Sequence, residues 1–152
     1  MEISQKITPF LMYNDQAGEA MDFYTSIFKN SRTTSKMPGP DGKVMGGSFE
    51  IEGLKINCFN GGPKFTFTQG FSLMIKVETQ EEVDHYYDGL SEGGKQEPCG
   101  WLDDKFGVSW QVTPTVLLKG LSDPKTAGRV AEAMFKMHKI IIADIEAAIS
   151  GD

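Results

Sequence analysis

Few side chains in this 152-residue chain have types that commonly perform catalysis. The chain has two cysteines, Cys58 and Cys99, and two histidines, His85 and His138. A cysteine becomes a nucleophile when a nearby base lowers the pKa of its thiol. Both histidines fall within predicted helices, away from the strand that holds Cys58. Cys58 is therefore the single catalytic candidate, and an inert buried side chain is the competing interpretation.

The carboxylates lie in polar segments. Asp103 and Asp104 precede Lys105 in a stretch typical of a turn. Acid–base chemistry requires a buried carboxylate, and these hydrophilic surroundings argue against burial. Residues 81–84 contain three more acids and fit the exposed start of a helix, where the helix dipole favours negative charge. We expect none of these carboxylates to act in catalysis.

The composition excludes several classes of function. With 15 basic and 21 acidic residues the net charge is −6, which argues against a nucleic-acid surface or an anionic membrane as partner. No apolar run approaches the roughly 20 residues that span a bilayer, and the N-terminus lacks the apolar core of a signal peptide. Two cysteines cannot build a disulfide framework. We expect a cytoplasmic protein without nucleic-acid or membrane partners.

One stretch of the chain is written twice. Adding 64 to the residue number carries the apolar segment 8–15 onto 72–79, and adding 63 carries the helical pattern of 20–27 onto 83–90. One residue is thus lost at the turn between strand and helix. Paired modules usually build a shared cleft, and clefts bind ligands.

Each copy fits the order strand, helix and then three strands. For the first copy we predict an N-cap at Asn14-Asp15, a helix to Phe28, and strands at 7–13, 31–36, 44–51 and 54–59. For the second we predict a helix at 80–90 and strands at 71–77, 96–102 and 108–113. The single domain 1–152 then comprises a first module 1–62, a second module 70–115 and a C-terminal helical arm 122–150. The first helix of the arm is predicted to start at Asp123-Pro124.

Duplicated β-α-β-β-β units of this length resemble the vicinal oxygen chelate superfamily, which includes glyoxalases, bleomycin-resistance proteins and extradiol dioxygenases. Three features look like its PhnB-like, or demethylubiquinone methyltransferase-like, branch: Asn60-Gly-Gly-Pro63, the block from Cys99 to Pro114, and the helical tail. Within the block, the likeness lies in the pattern Gly-Trp…Asp-Lys-x-Gly-x-x-Trp-Gln-x-x-Pro. The resemblance covers nearly the whole chain. It implies an α+β fold whose two βαβββ modules form a curved, cleft-bearing sheet, with the arm appended.

The residues do not favour methyl transfer. A methyltransferase that uses S-adenosylmethionine usually has a glycine-rich turn between a strand and a helix, within a parallel sheet. The glycine pairs at 46–47 and 61–62 lie in strand or turn contexts, with no helix starting behind them. We therefore expect no methyltransferase activity, and whether another reaction is catalysed stays open.

The resemblance also implies where a metal would bind. Metal-dependent members take ligands from the first strand and a late strand of each copy; these positions fall on Thr8 and Ser72, near Ile56, and on Gln111. Divalent catalytic metals prefer imidazole, carboxylate or thiolate donors. Two hydroxyls, an isoleucine and an amide are a poor set. We expect no metal at this place, and no cofactor.

Residues that share a face with those positions are candidates for contact with a ligand, because strand side chains alternate between faces. Trp101 is added either as an aromatic wall of the cleft or as a dimer contact. The predicted ligand-binding residues are Thr8, Phe10, Met12, Ile56, Cys58, Asn60, Ser72, Met74, Trp101 and Gln111. The set suits a small, partly hydrophobic ligand. Ordinary core packing is the alternative for Phe10, Met12, Ile56 and Met74, and Trp110 is expected beneath the helices.

Three functions remain open from the sequence. The preferred one is a metal-free small-molecule binding protein of the glyoxalase/bleomycin-resistance type. The second is a lyase or isomerase with a non-standard site in the same cleft, and the third is a dimeric interaction module whose cleft is closed. Superfamily relatives commonly dimerise, and the apolar stripe of the arm offers surface to bury, so we expect a homodimer.

Overall fold

A computed structural model describes residues 2–151 of the chain. It divides into two compact units, Met1–Thr66 and Phe67–Asp152. Both combine one four-stranded mixed sheet with helices. The α+β class and the βαβββ modules are therefore confirmed, and the helices after the second module are present as well. The division of a single domain into modules ending at 62 and 115 stays a prediction. No helix within residues 2–151 is long and apolar enough to cross a membrane.

The first unit contains five elements. They are β1 (Phe10–Tyr13), α1 (Ala17–Ile27), β2 (Ser31–Pro38), β3 (Val44–Ile51) and β4 (Leu54–Asn60). The sheet order is β1-β4-β3-β2; β1 is parallel to β4 and the other neighbours are antiparallel. One face of this sheet is buried under α1, where the ring of Tyr24 stacks on Phe49 with centroids 5.6 Å apart.

The second unit repeats this topology. Its strands and first helix are β5 (Ser72–Val77), α2 (Gln80–Ser91), β6 (Lys95–Gln96), β7 (Trp101–Asp103) and β8 (Ser109–Pro114). The sheet order is β5-β8-β7-β6, with β5 parallel to β8. Equivalent helix positions are equally buried: Tyr24 and Tyr87 both have zero exposure. The structure therefore bears out the duplication seen in the sequence.

The two helices start differently. Thr79 caps α2, and its Oγ1 accepts a hydrogen bond from the Glu82 N–H at 3.2 Å. The predicted cap at Asn14-Asp15 is wrong, because α1 begins one residue later, after Gln16, which makes no side-chain cap. Instead the side chain of Asn60 accepts the N–H of Ala17 at 2.8 Å. A residue of the last strand thus does what a local cap usually does.

The strand predicted at 96–102 is interrupted. A short 3₁₀ turn, Pro98–Gly100, separates β6 from β7. Cys99 has φ 65° and Gly100 has φ 83°, so the chain is left-handed at two successive residues. A regular strand cannot contain that conformation.

Three helices follow β8: α3 (Thr115–Ser122), α4 (Ala127–Phe135) and α5 (Ile142–Ser150). The helical segment thus begins at residue 115, not 122. The predicted start at Asp123-Pro124 is also wrong, because the Asp123 carboxylate accepts the Lys125 N–H at 2.9 Å in a turn and α4 starts at Ala127.

Part of the apolar stripe of this segment is buried inside the second unit. Its buried members form one cluster, which contains Leu117, Val130, Ile140 and Ile145. Side chains buried within one chain are no longer available to cover a partner. Phe135 of the same stripe is 69% exposed, so the stripe is only partly buried and the homodimer stays a prediction.

Candidate ligand-binding face

Strand register decides which side chains share a face. In the first unit Leu11 lies beside Cys58 and Tyr13 beside Asn60, while Phe10 lies beside Asn57. Paired residues on neighbouring strands point to the same face. Leu11 and Tyr13 are buried on the α1 side. Their neighbours in β4 must therefore point to that side as well.

The prediction that Ile56, Cys58 and Asn60 share a face with Phe10 and Met12 is thus wrong. All three point toward α1, and Ile56 is fully buried in the core. A one-residue difference in register moves every side chain of a strand to the other face. The alternation within β4 was correct, but its phase relative to β1 is fixed by the pairing, which the sequence does not show.

Cys58 is a buried thiol. It is 3% exposed, and its Sγ–H donates to the Gly47 carbonyl at 3.7 Å. Burial raises the pKa of Cys58 to about 11, although the bond to Gly47 opposes the shift. The thiol is thus neutral near pH 7, and a neutral thiol is a poor nucleophile. Its environment argues against the catalytic role considered for it.

In the second unit the register brings the predicted residues together. Met74 pairs with Gln111, and Gln111 pairs with Trp101. Glu97 extends this row, since its N–H donates to the Trp101 carbonyl at 2.9 Å. We call these four residues the Trp101 row. They lie on the face opposite Trp110, which is buried against α2 as expected.

A second row runs beside the first on the same face. Its members are Ser72, Ser109, Asp103 and Lys95. The amide of Gln111 donates to the Ser72 Oγ at 2.9 Å and so links the two rows. Asp103 accepts hydrogen bonds from Ser109 at 2.8 Å and from Gln69 at 3.0 Å. This network fixes the polar groups while the Met74 side chain stays 44% exposed.

A pocket of about 320 Å³ lies at one end of the Trp101 row. Its lining residues are Gln69, Glu97, Pro98 and Trp101. The Glu97 side chain is 19% exposed and lies 3.3 Å from Lys95, which is itself mostly solvated. The pocket therefore combines an aromatic ring, a carboxylate and an amide. Sequence reasoning missed Glu97 and Gln69, because Gln69 lies in the loop before β5 and the 3₁₀ turn separates Glu97 from the strand that carries Trp101.

The first unit has corresponding positions. The repeat carries Phe10 onto Met74, so Asn57, the partner of Phe10, corresponds to Gln111. The late-strand position was predicted near Ile56 and is one residue further on. Asn57 accepts a hydrogen bond from Ser48 at 2.7 Å. Both sheets thus present an amide at this position.

The donor set can now be tested for a metal. Thr8, Asn57, Ser72 and Gln111 occupy the corresponding positions, with Thr8 half-buried just before β1. Hydroxyls and neutral amides do not replace the charged or imidazole donors of a divalent catalytic site. No group of three His, Cys, Asp or Glu residues suited to a metal occurs within residues 2–151. His85 is exposed on α2, whereas His138 lies between α4 and α5 and not on the predicted helix.

Asp104 is not a solvated turn residue, contrary to the sequence prediction. It is 3% exposed, and its Oδ1 accepts the N–H groups of Phe106 and Val108 at 2.9 and 3.0 Å. Its Oδ2 accepts the indole N–H of Trp110 at 2.9 Å. The carboxylate therefore closes the β7–β8 turn and anchors Trp110. This gives a structural reason for the Asp and Trp spacing of the Cys99–Pro114 block.

Known proteins share this fold and sequence pattern. The profile of the 3-demethylubiquinone-9 3-methyltransferase family matches residues 5–113. A putative 3-demethylubiquinone-9 3-methyltransferase, PhnB protein, of Bacillus cereus is 37% identical, with a TM-score of 0.65 over 72% of this chain and 99% of its own. A Pseudomonas aeruginosa protein is 22% identical, with a TM-score of 0.59 over 73% of this chain and 98% of its own.

A more distant likeness shows the fold alone. The fosfomycin resistance protein FosX of Listeria monocytogenes, in complex with Mn(II) and sulfate, is 20% identical with a TM-score of 0.54, over 72% of this chain and 90% of its own. No curated protein matches the chain.

The family profile spans well over half of the chain, and the Bacillus cereus relative exceeds 30% identity. The chain therefore belongs to the PhnB-like 3-demethylubiquinone-9 3-methyltransferase family of the vicinal oxygen chelate superfamily.

Proposed function

We propose that the protein binds a small, partly apolar molecule on the face that carries the Trp101 row, and that it does so without a metal ion. The observation that carries this proposal is the row itself. One exposed methionine, one amide and one half-buried indole lie side by side on the paired strands β5, β8 and β7, and the carboxylate of Glu97 continues the row one residue after β6. Binding sites commonly combine apolar surface with a few fixed polar groups in this way.

The chemistry of the row favours a planar ligand with a polar edge. An indole face stacks on aromatic or conjugated groups. The side-chain amide of Gln111 has two N–H groups and one carbonyl oxygen. One of these N–H groups donates to Ser72. Its remaining capacity suits a ligand amide, hydroxyl or ring nitrogen. On the first unit, considered by itself, Phe10 corresponds to Met74 and is 56% exposed, so that sheet presents an apolar side chain at the equivalent position.

The proposal excludes a metal ion because the side chains at the superfamily's ligand positions are poor metal donors. The FosX structure holds Mn(II). This chain has Thr8, Asn57, Ser72 and Gln111 at the superfamily's ligand positions, and none of them carries a charge. A titration with Mn(II) or Zn(II) should therefore show no stoichiometric binding. Tight binding of one ion, lost on changing Gln111, would overturn this part.

Methyl transfer is not proposed, despite the family's name. The strand-to-helix turns of the two modules are residues 14–16 and 78–79, and neither contains a glycine. A glycine-rich turn at this place is what usually binds the phosphates or the sulfonium-bearing nucleoside of a cofactor. The enzymatic alternative based on Cys58 is weakened by the burial of its thiol.

A thermal-shift screen tests the proposal. The probes are one- and two-ring aromatic molecules that carry an amide, hydroxyl or amine, in a buffer with EDTA. A ligand that binds only the folded protein raises the melting temperature. We expect hits whose shift is lost in Trp101→Ala and Gln111→Ala. The matched control is Gln16→Ala, an exposed glutamine without a cap contact, which should keep the shift. Hits that ignore both row variants, or need added metal, would count against the proposal.

A further inference from the structure

The turn before Trp101 is held by a segment outside the family match. The family profile ends at residue 113, whereas residues 137–142 run from the loop after α4 to the first residue of α5, and the first two of them contact the 3₁₀ turn. The N–H of Cys99 donates to the Met137 carbonyl at 2.9 Å, and the N–H of Gly100 donates to the His138 carbonyl at 2.7 Å. We call residues 137–142 the docking segment.

The docking segment is itself fixed to α2. The Gln80 amide donates to the Ile140 carbonyl at 3.1 Å and accepts the Ile142 N–H at 2.8 Å. Lys139 pairs with Asp88 at 2.9 Å and with Asp84 at 3.2 Å. Two charge pairs and two amide contacts thus hold six residues against one helix.

The turn leaves little freedom at the contact. Gly100 has φ 83°, and a Cβ there would lie 2.9 Å from both the Ile140 side chain and the Val112 carbonyl oxygen. Cys99 keeps a left-handed conformation that costs energy for a residue with a side chain. Such a conformation persists only where surrounding contacts impose it, and the carbonyls of Met137 and His138 are those contacts.

We propose that the docking segment positions Trp101 and Glu97 for ligand binding, with Gln80 and Lys139 as positioning residues. The inference rests on the proposed function, because an ordered turn matters for function only if Trp101 and Glu97 bind a ligand. The segment holds the N–H groups of residues 99 and 100. From the other side the Tyr87 hydroxyl donates to the carbonyls of Glu97 and Trp101, at 2.9 and 3.2 Å. A turn held from both sides presents its two flanking side chains in one arrangement.

The test uses the full chain without any ligand. Amide hydrogen exchange reports the N–H groups of Cys99 and Gly100, and NMR reports the two indole N–H resonances, assigned with Trp101→Phe. In Gln80→Ala we expect exchange at both amides to rise about tenfold, as for the loss of one or two net hydrogen bonds. The Trp101 indole resonance should shift or broaden, while the Trp110 resonance stays in place because Asp104 holds it.

Two further variants make the test decisive. Lys139→Met removes only partly solvated ion pairs, so it should fold and show the same changes at smaller size. Thr126→Val is the matched control, because it removes a buried hydrogen bond to the Gly120 carbonyl, between α3 and α4 of the same helical segment. It should leave both indoles unchanged. The proposal is overturned if Gln80→Ala speeds exchange of the Ile142 amide but changes neither the Cys99 and Gly100 amides nor the Trp101 indole resonance. If Gln80→Ala does not fold, the same result in Lys139→Met overturns it.

The failure of this inference is distinguishable from failure of the proposed function. Unchanged Trp101 signals in the variants sink the positioning role even if ligands bind. If the Trp101 signals change in the variants but the protein binds no aromatic probe, the positioning role stands and the proposed ligand binding is wrong. Where both hold, hits from the screen should bind Gln80→Ala several-fold more weakly than wild type, because the apparent affinity falls in proportion to the fraction of molecules whose turn is in the binding arrangement.

Discussion

Tyrosine occupies one equivalent buried position of both units, whereas the equivalent outward-facing positions compared below differ. Tyr24 and Tyr87 are both fully buried under corresponding parts of their sheets. On the other faces Ser48 corresponds to Trp101, and Asn57 to Gln111, by register. Core positions are constrained by volume, whereas an open face is free to vary with its ligand. The indole in the second unit is therefore the residue-scale difference to which we attribute ligand recognition.

The two cysteines should differ in reactivity. With a pKa of about 11 in place of 9.0, Cys58 has roughly a hundredfold smaller thiolate fraction near neutral pH than an ordinary thiol, and it is buried as well. Cys99 is half-exposed. A thiol reagent at pH 7 should label Cys99 first and reach Cys58 only after denaturant is added. Fast labelling of Cys58 in the folded protein, followed by lost ligand binding, would revive it as a functional residue.

Asp104 should carry far more stability than its neighbour Asp103. Asp104→Ala leaves two backbone N–H groups and one indole N–H buried without their acceptor, at a cost of about 3 kcal/mol. Asp103 bonds to side chains at a half-exposed site, so Asp103→Ala should cost about 1 kcal/mol. Urea unfolding of the two variants gives the comparison. Equal losses would show that the buried carboxylate does not anchor Trp110.

At the scale of elements, each helix is tied to its sheet by one tyrosine, but the two hydroxyls serve different purposes. The Tyr24 hydroxyl meets the Tyr13 hydroxyl at 3.2 Å inside the first core. The Tyr87 hydroxyl instead reaches the backbone on both sides of the 3₁₀ turn. Burial raises the pKa of Tyr87 to about 12, so the phenol stays a donor at physiological pH. The second helix therefore controls the turn as well as the core.

This difference predicts the outcome of a paired substitution. Tyr24→Phe and Tyr87→Phe should each lower the free energy of unfolding by about 1–2 kcal/mol, because each loses a buried hydrogen bond. Only Tyr87→Phe should change the fluorescence of Trp101, read as the difference from the same variant carrying Trp101→Phe. Similar spectral changes in both variants would mean that Trp101 responds to general loosening.

The contacts of α2 with the docking segment should depend on pH at the extremes. Hydrogen bonds to Gln80 and Lys139 lower the pKa of Asp84 below 3.8, against slight desolvation. Desolvation lowers the pKa of Lys139, but the bonds to Asp88 and Asp84 outweigh it and the net pKa lies above 10.5. The stabilisation from Asp84 is thus lost as the pH falls below the pKa that this carboxyl has in the unfolded chain. The stabilisation from Lys139 is lost as the pH rises past the pKa that this amine has in the folded protein.

Lys139→Met isolates this contribution. The difference in unfolding free energy from wild type should be constant between about pH 5 and 9. It should be under about 1 kcal/mol, since both acids are well solvated. It should shrink toward acid and toward strong alkali. A difference that instead grows on acidification would contradict the assigned partners.

The sequence predicted most elements because their signals are local. The helical period placed both repeated helices within a few residues, and the duplication predicted the topology. It failed where the answer lies in distant contacts. Asn60 caps α1 from another strand, the phase of β4 depends on pairing with β1, and the left-handed Cys99 is imposed by residues 137 and 138. For the candidate site, the second-unit members were found together, whereas Ile56, Cys58 and Asn60 were placed on the wrong face.

At the scale of the whole molecule, the chain combines the two modules that the family profile matches with a helical segment that follows residue 113. The Bacillus cereus protein is covered almost completely by 72% of this chain. Part of the apolar stripe in the segment after residue 113 is buried within the second unit, and residues 137 and 138 of the segment contact the turn before Trp101. A homodimer remains a prediction from the superfamily, and sedimentation analysis of the full chain decides it.

The central claim is that ligand binding uses the Trp101 row and needs no metal ion. NMR titration of the best aromatic hit in EDTA tests it most directly, with the indole N–H of Trp101 and the side-chain N–H groups of Gln111 as reporters. We predict saturable shifts of these resonances at one affinity, with the Trp110 indole unmoved. Binding that leaves them unchanged, or that appears only when a divalent ion replaces the chelator, would contradict the account.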